Sequence, residues 1–405
     1  MALSDSRKRT EHVKPVEQFD FFNDERVRSI FYQLLTAAVV GWAGWYLFTT
    51  TANNLEVRGM ASGFGFLGVE AGFDPDFKLI AYEPGVGTYR DIFFIGILNT
   101  LYISILAIIA STLLGFTIGV MRLSKNWLIA RVALVYVEVF RNTPLLIQII
   151  FWYTGIFSVL PKVRNSLDLS AGAEVVLLNN RGLYVAWPIP GDLFWMTAMA
   201  FIIAVVVALG YRYWAKKHRE ATGKISPVFL PSAALIVLLP GIVFLMTGLP
   251  LSWDVPVLEG FNFIGGAELP PAFLALVVAL TIYHAAYLAE AVRAGILSVS
   301  SGQNDAAMSI GLPQKRVMSL VIIPQAMPAI VPPMISLWMN VVKNSSLAIA
   351  IGYPDLVSVF MGTSLNQIGH AIEIVGMTMA FYMFVSLSIS GLLNIYNKRV
   401  QLIER

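Results

Sequence analysis

The segment NDAAMSIGLPQKRVMSLVIIP, residues 304–324, lies between two of the most apolar stretches of the chain, yet it carries charges, a glycine and two prolines. Asn304 or Asp305 can supply the oxygen that caps a helix, and the acid suits the positive end of the helix dipole. Ala306 and Ala307 leave one face of that helix almost without side chains. The sequence therefore predicts a short helix with one smooth face.

The next residues predict where this helix stops. Gly311 followed by Pro313 is typical of a helix end. A second short helix over residues 314–323 can then return the chain toward the membrane before Pro324. Residues 304–324 would together form a compact helical elbow, shaped for another protein to grip. The alternative is an ordinary surface loop between two spans.

Composition identifies the class of protein. Of the 405 residues, 57% are hydrophobic and 13% are charged, whereas about a quarter are charged in a soluble domain. The chain is therefore predicted to be an integral membrane protein. A net charge of +3 is too small to indicate a nucleic-acid partner, and the absence of cysteine excludes disulfides and thiolate metal sites.

Apolar runs of roughly 20 residues predict membrane helices. Eight such spans are expected, at residues 30–50, 92–120, 132–160, 193–213, 227–246, 271–294, 324–342 and 372–395. If these spans cross the membrane in alternating directions, the main Lys and Arg clusters between and beside them all lie on one side of the membrane. By the positive-inside rule both termini are then cytoplasmic. The outer loop with Lys162, Arg164 and Arg181 fits this rule least well.

These features divide the chain into segments. We expect a cytoplasmic N-terminal segment (1–29), an extra N-terminal span (30–50), a first core part (92–160), an insertion with two spans and outer loops (161–270), a second core part (271–396) and a cytoplasmic tail (397–405). The sequence shows no convincing internal repeat, which counts against the inverted-repeat plan of many secondary transporters.

The elbow resembles the Glu-Ala-Ala loop of the membrane subunits of binding-protein-dependent ABC importers. The family pattern is Glu-Ala-Ala, three residues, Gly, nine residues, Ile, one residue and Leu-Pro. The spacing here matches without a gap, with Asp in place of Glu and aliphatic exchanges at Val321 and Ile323. The resemblance implies a coupling helix that fits a groove on an ATP-binding subunit. Its contact residues would be Asp305, Ala306, Ala307, Gly311, Pro313, Lys315 and Arg316.

Other stretches resemble the polar amino-acid branch of these permeases. They are YVEVFRNTPLLIQIIFWYTGI (136–156), AAYLAEAVRAGILSVSSGQ (285–303), VIIPQAMPAIVPPM (321–334) and VVKNSSLAIAIGYPDL (341–356). The resemblance implies an all-α polytopic fold with a type I ABC importer permease core. The extra span and the insertion resemble the larger permease of general or glutamate/glutamine/aspartate-type L-amino-acid importers of Gram-negative bacteria.

The resemblance also implies partners and a location. They are a pair of ATP-binding subunits, a sister permease and a periplasmic amino-acid-binding protein, in the bacterial inner membrane. No Walker A pattern is present, since Gly223-Lys224 is the only Gly-Lys pair and Ile225 follows it. The chain is therefore not expected to be an enzyme or to bind a cofactor or metal; ATP and Mg²⁺ belong to the partner. The insertion makes a heterodimer with a shorter permease more plausible than a homodimer.

Charged residues within the spans are candidates for the substrate pathway, because a charge at bilayer depth costs at least about 2.5 kcal/mol unless it is paired or hydrated. Arg suits a carboxylate and Glu an ammonium group. The alternative is structural ion pairing near the cytoplasmic helix ends, with snorkelling arginines. The candidates are Glu138, Arg141, Glu290, Arg293, Lys343 and Asn344.

The alternative to an ABC permease is an ion-coupled secondary transporter. Such a transporter would use Glu138 and Glu290 as proton or sodium sites. It would work alone, whereas an ABC permease would need its partners.

Pro144, inside the third span, would kink that helix, either as a hinge or as a packing device.

Overall fold

The computed structural model describes residues 25–57, 63–224 and 226–400. The predicted N-terminal segment 1–29 lies outside the described residues as far as residue 24, and the predicted tail 397–405 does so from residue 401. Contacts divide the chain into two units, Met1–Phe64 and Gly65–Arg405.

Helices make up most of the described chain. They are α1 (Glu25–Val57), α2 (Tyr89–Met121), α3 (Trp127–Asn142), α4 (Leu145–Ile150), α5 (Phe194–Thr222), α6 (Phe229–Met246), α7 (Pro271–Leu297), α8 (Ser301–Ser309), α9 (Gln314–Val317), α10 (Ile323–Asn344), α11 (Leu365–Ile368) and α12 (Ala371–Val400). π-helical turns at Phe151–Ile156, Met318–Ile322 and Val357–Ser364 follow α4, join α9 to α10 and precede α11.

Within the described ranges, seven helices are long and apolar enough to cross a membrane, or eight if one bent pair counts as a single span. The bent pair is the third predicted span: Trp127–Asn142 and Leu145–Val159 meet at 104°. The prediction of an all-α polytopic protein with about eight spans is therefore confirmed.

Pro144 explains the bend. Thr143 before it is extended (φ −103°, ψ 126°), as expected for the residue preceding a proline. The buried side chain of Gln148 crosses the break: its Nε2 donates to the carbonyl oxygens of Phe140 and Thr143, both at 3.0 Å. These bonds replace backbone hydrogen bonds that the helix loses at the break.

The first unit contains α1, whose segment Val27–Asn54 is long and apolar enough to span a membrane. It includes the predicted span 30–50. Its large apolar side chains are exposed, and the rings of Trp42 and Tyr46 stack with centroids 5.6 Å apart. Such a surface suits contact with lipid.

The core of the second unit is built around α7, which packs against α2, α3 and α10. The closest approach is to α2, at Gly115 and Gly119. A Cβ atom at Gly119 would lie 2.8 Å from the carbonyl oxygen of Ala289, and one at Gly115 would lie 2.8 Å from the Cβ of Leu288. Small residues four apart permit this close packing of membrane helices.

The insertion contains the helix pair α5–α6 and a set of short strands. The strands are β1 (Leu167–Asp168), β2 (Val176–Asn179), β3 (Gly182–Val185), β4 (Trp187–Pro190), β5 (Leu251–Asp254), β6 (Val257–Glu259), β7 (Asn262–Ile264) and β8 (Ala267–Leu269). Only loops were expected between these two helices and the core, because strands of this length are too short to show alternating polarity in the sequence.

The strands form one antiparallel sheet, in the order β1-β2-β3-β8, and two hairpins, β4–β5 and β6–β7. Leu183 of β3 pairs with Leu269 of β8, which is followed closely by the start of α7 at Pro271. The hydroxyl of Tyr184 donates to Glu268 at 3.0 Å across the same pair of strands. The sheet is thus anchored to the first turn of α7.

Candidate functional site

The elbow predicted at residues 304–324 begins earlier than expected. Helix α8 starts at Ser301 with Ser300 as its N-cap, so the prediction that Asn304 or Asp305 caps it is wrong. A break directly after α7 ends lets the chain restart its helix before the acid is reached. Asp305 lies in the middle of α8 with an exposed side chain.

The predicted helix stop at Gly311 is confirmed. Gly311 has a φ of +83°, which favours glycine. Its amide donates to the carbonyl of Met308 at 2.9 Å, and the amide of Leu312 donates to that of Ala307 at 3.3 Å. These bonds satisfy carbonyls at the end of α8.

The second predicted helix, 314–323, is not a separate element. From Gln314 the chain continues through the π-helical turn and Pro324 into α10, and this helical run extends to Ile351. Pro324 does not break it, because this residue lies in the first turn of α10, directly after the π-helical turn, and a proline is tolerated in the first turn of a helix.

The two alanines of the elbow have different environments. Ala307 is buried in a core cluster with Val317, whereas Ala306 is exposed. Met308 and Ile310 are also exposed, by 50% and 78%. We call the exposed side chains of this region the elbow patch; its rim contains the charged residues Asp305, Lys315 and Arg316 and the exposed Pro313. The smooth face predicted for both alanines is therefore provided by Ala306 alone.

Glu290 of α7 lies between two arginines. Arg293 Nη2 is 2.5 Å from Glu290 Oε1, and Arg122, directly after α2, forms an ion pair with Glu290 Oε2. The side chains of Arg122 and Glu290 are 13% and 26% exposed. Glu290 and Arg293 therefore form an ion pair, as the structural alternative to a pathway role predicts. Arg122 was missed as a partner, although it stands with Lys125 and Arg131 in a basic segment directly after α2.

Arg141 and Glu138 have separate surroundings. Although both side chains are described, no ion pair joins them. Glu138 is exposed and accepts a hydrogen bond from Asn142 at 3.2 Å. The guanidinium of Arg141 lies 5.1 Å from the ring centroid of Tyr287, and its buried Nε has no hydrogen-bond partner in the structure. Arg141 thus presents a free donor beside an aromatic face of α7.

Asn344 and Lys343 lie at the end of α10. The amide nitrogen of Asn344 is 3.3 Å from Nε2 of the buried His284, whose Nδ1 is 2.9 Å from the carbonyl oxygen of Leu280. Asn344 therefore connects α10 to α7. Lys343 is exposed and lines a cavity of about 390 Å³ together with Ser346.

A buried polar network near Asp355 was not anticipated. One carboxylate oxygen of Asp355 accepts from the amide of Ser358 at 2.9 Å, and the other accepts from the hydroxyl of Tyr382 at 3.4 Å. Asn99 of α2 donates to the carbonyl of Pro354 at 2.8 Å. These bonds attach the segment after α10 to α2 and α12.

A basic cavity of about 530 Å³ opens beside the strands of the insertion. Lys162, Arg164 and Arg181 line it with Phe261. The guanidinium of Arg164 lies 5.5 Å from the ring centroid of Phe261, and Arg181 donates to the carbonyl of the same residue at 3.3 Å. The three residues that fitted the positive-inside rule least well therefore form one surface, which we call the outer basic pocket.

Comparison with known proteins gives a consistent result. Residues 222–402 match the family of binding-protein-dependent transport system inner membrane components. The chain is 46% identical to the putative amino-acid ABC transporter permease protein YhdX of Escherichia coli, over 95% of this chain and 97% of that one.

Two further relatives are similar over nearly their whole length. The general L-amino acid transport system permease protein AapQ of Rhizobium johnstonii is 45% identical, over 94% of each chain. The glutamate/glutamine/aspartate/asparagine transport system permease protein BztB of Rhodobacter capsulatus is 39% identical, over 94% of this chain and 96% of that one.

Proposed function

This chain belongs to the family of binding-protein-dependent amino-acid ABC transporter permeases, and from that premise we propose that it lines an L-amino-acid import pathway together with a sister permease. It is a multi-pass permease subunit of the inner membrane and is not itself the ATPase. The family implies an ATP-binding subunit and a substrate-binding protein as partners. The similarity to a general L-amino acid permease over 94% of both chains carries the proposal.

The elbow patch is the proposed contact for the ATP-binding subunit. Its support is an exposed apolar centre, Ala306, Met308 and Ile310, beside the charges of Asp305, Lys315 and Arg316. Ala307 and Gly311 shape the patch from within: the alanine packs against the core and the glycine closes the helix. ATP and Mg²⁺ are assigned to that partner, and no cofactor to this chain.

Among the predicted pathway residues, Arg141 is the best placed for a substrate carboxylate. Its buried Nε is available for a new hydrogen bond, and the ring of Tyr287 holds the guanidinium plane. Lys343 lines the cavity of about 390 Å³, and Asn344 joins α10 to α7 through His284. Glu138 is an exposed carboxylate that can meet a substrate ammonium group.

The ion pairs of Glu290 with Arg293 and Arg122 are better explained as structural contacts than as a substrate site. Two guanidinium groups already occupy the carboxylate of Glu290, which makes it a weak site for a substrate ammonium. Their ion pairs join the end of α2 to α7.

The proposed orientation places both termini and the elbow patch in the cytoplasm and the strands of the insertion outside. The outer basic pocket then faces the periplasm. We assign it to the docking of the binding protein through that protein's acidic side chains, because three cations line the pocket and one of them, Arg164, lies against the ring of Phe261. Packing against the sister permease is the alternative for this surface.

The test is uptake of labelled glutamate, glutamine and aspartate into proteoliposomes that contain this chain, its ATP-binding subunit, the sister permease and the binding protein. Omitting any one component is expected to abolish ATP-dependent uptake. Transport by this chain alone down an ion gradient would support a secondary transporter instead.

Gly311→Arg tests the coupling contact in the same preparation. Gly223→Arg is the matched control, because Gly223 also ends a helix, with a φ of +73°, and also has open space around it. Both substitutions strain a left-handed position by about 1–2 kcal/mol. Only Gly311→Arg is expected to abolish uptake while the chain still reaches the membrane; equal loss in both variants would contradict the coupling role.

A further inference from the structure

The helix pair α5–α6 carries a groove that the proposed transport function does not use. In its apolar part the groove is lined by Val205, Ala208 and Leu209 of α5 and by Ala233 and Ile236 of α6, with a volume of about 510 Å³. The small side chains of Ala208 and Ala233 leave this space between the helices. An apolar groove on the side of a membrane helix pair is open to lipid.

Toward the C-terminal end of α5 the groove becomes basic. Arg212, Lys216 and Arg219 line a second cavity of about 570 Å³. They are spaced four and three residues apart and therefore lie on one helical face. Both cavities include Leu209, Arg212 and Val228, so the groove is continuous. No acidic side chain lines either part in the described portion of the chain.

The length of the groove matches one leaflet of a bilayer. From Val205 to Arg219, α5 rises by about 21 Å at 1.5 Å per residue. Half of a bilayer, including its headgroup region, is about 20–22 Å thick. The apolar part of the groove thus extends over acyl-chain depth, and its basic part reaches the headgroup level.

We propose that this groove binds one phospholipid with an anionic headgroup. Its phosphate lies among Arg212, Lys216 and Arg219, and an acyl chain follows the apolar part toward Ile236. Orientation alone explains an excess of basic residues on the cytoplasmic side. It does not explain why three of them face a groove whose polarity follows that of a phospholipid. In the proposed orientation the lipid belongs to the cytoplasmic leaflet.

The first test removes charge. The complex purified with its associated subunits is titrated with phosphatidylglycerol or phosphatidylcholine, and bound lipid is counted by native mass spectrometry. Lys216→Gln/Arg219→Gln is compared with Lys217→Gln/Lys224→Gln, which removes the same charge from residues outside the groove lining. The Kd for phosphatidylglycerol is expected to rise about fivefold per lost groove charge, which corresponds to about 1 kcal/mol. The control pair and the Kd for phosphatidylcholine are expected to stay unchanged.

The second test separates a lipid from a free anion. Ala233→Phe fills the apolar part, whereas Val237→Phe, at a side chain that is 69% exposed, lies outside the groove lining. Only Ala233→Phe is expected to weaken phosphatidylglycerol binding, and inorganic phosphate at millimolar concentration is not expected to displace the lipid. If Ala233→Phe prevents assembly, Ala233→Leu takes its place.

Three results would overturn the proposal. They are unchanged lipid binding in Lys216→Gln/Arg219→Gln, displacement of the lipid by inorganic phosphate, and absence of bound phosphatidylglycerol in the complete complex. The last result would mean that another subunit covers the groove.

Discussion

Gly119→Ala is expected to destabilise the core of the permease, although alanine is the better helix former. The new Cβ would lie 2.8 Å from the carbonyl oxygen of Ala289 and 2.8 Å from the Cβ of Val292. Ordinary contact begins at about 3.4 Å, so α2 and α7 must separate locally by the difference, about 0.6 Å, because a helix backbone cannot yield as a side chain does. Overpacking of this kind costs about 1–3 kcal/mol.

Gly210→Ala provides the matched control. Gly210 lies within α5 and has nothing within 4 Å of the position that a Cβ would take. Both substitutions gain about 0.8–1 kcal/mol of helix propensity, so the difference between the two variants isolates the cost of the close approach. The free energy of unfolding, measured by denaturant titration of the purified protein in detergent micelles, should be lower for Gly119→Ala by about 1–3 kcal/mol. Equal values would refute close packing of α2 on α7. Uptake should fall as well, because Arg122 and Glu290 lie just beyond this contact.

The other predictions concern charges. Glu290→Gln leaves two arginines without their carboxylate and should lower the free energy of unfolding by about 1–3 kcal/mol. The control, Glu138→Gln at an exposed side chain, should change the free energy of unfolding by less than about 0.5 kcal/mol. Normal stability of Glu290→Gln with lost uptake would instead favour a pathway role for Glu290. Hydrogen bonds from Ser170 and from the amides of Gly172 and Glu174 hold the pKa of Asp168 below its usual value. Because the pKa of Asp168 is lower in the folded state, its ionised carboxylate should stabilise the β1–β2 turn at pH values above the usual carboxylate pKa. This stabilisation should be lost as the pH falls through the folded-state pKa. Asp168→Asn should remove the resulting pH dependence of amide exchange in the turn, and a pH dependence that persists in this variant would contradict the assignment. Arg164→Glu should slow association of the binding protein about tenfold at low ionic strength, whereas Arg90→Glu, on the same side in the proposed orientation, should not; equal effects would argue against docking at the outer basic pocket.

The sequence predicted features that depend on local composition. The eight spans follow from long apolar runs, and the end of α8 follows from Gly311, whose φ few other residues adopt readily. The start of α8 was predicted wrongly, because Ser300 and Ser301 precede no apolar repeat that would mark a helix. The strands of the insertion were missed because each contains at most four residues.

Contacts between distant parts of the chain were not predictable in the same way. Arg122 and Glu290 are 168 residues apart, and only the packing of α2 on α7 brings them together. Glu138 and Arg141 are three residues apart and so lie on one helical face, but Arg141 turns toward Tyr287 while Glu138 stays exposed. Helical spacing limits which side chains can meet, and the neighbouring helix decides which of them do.

The hydrogen bonds of Gln148 have a mechanical consequence for the third span. Where the carbonyl oxygens at a helix break have no hydrogen-bond partner, a change of the bend angle breaks no hydrogen bond, so the helix bends easily. Here one side chain holds the carbonyls of Phe140 and Thr143 on the far side of the break, so changing the angle would sacrifice both bonds. The two arms of the third span, which run from Trp127 and through Ile150, should therefore keep their angle of 104° and move together as one rigid body. Opening and closing of the pathway would then rotate the whole third span without changing its bend.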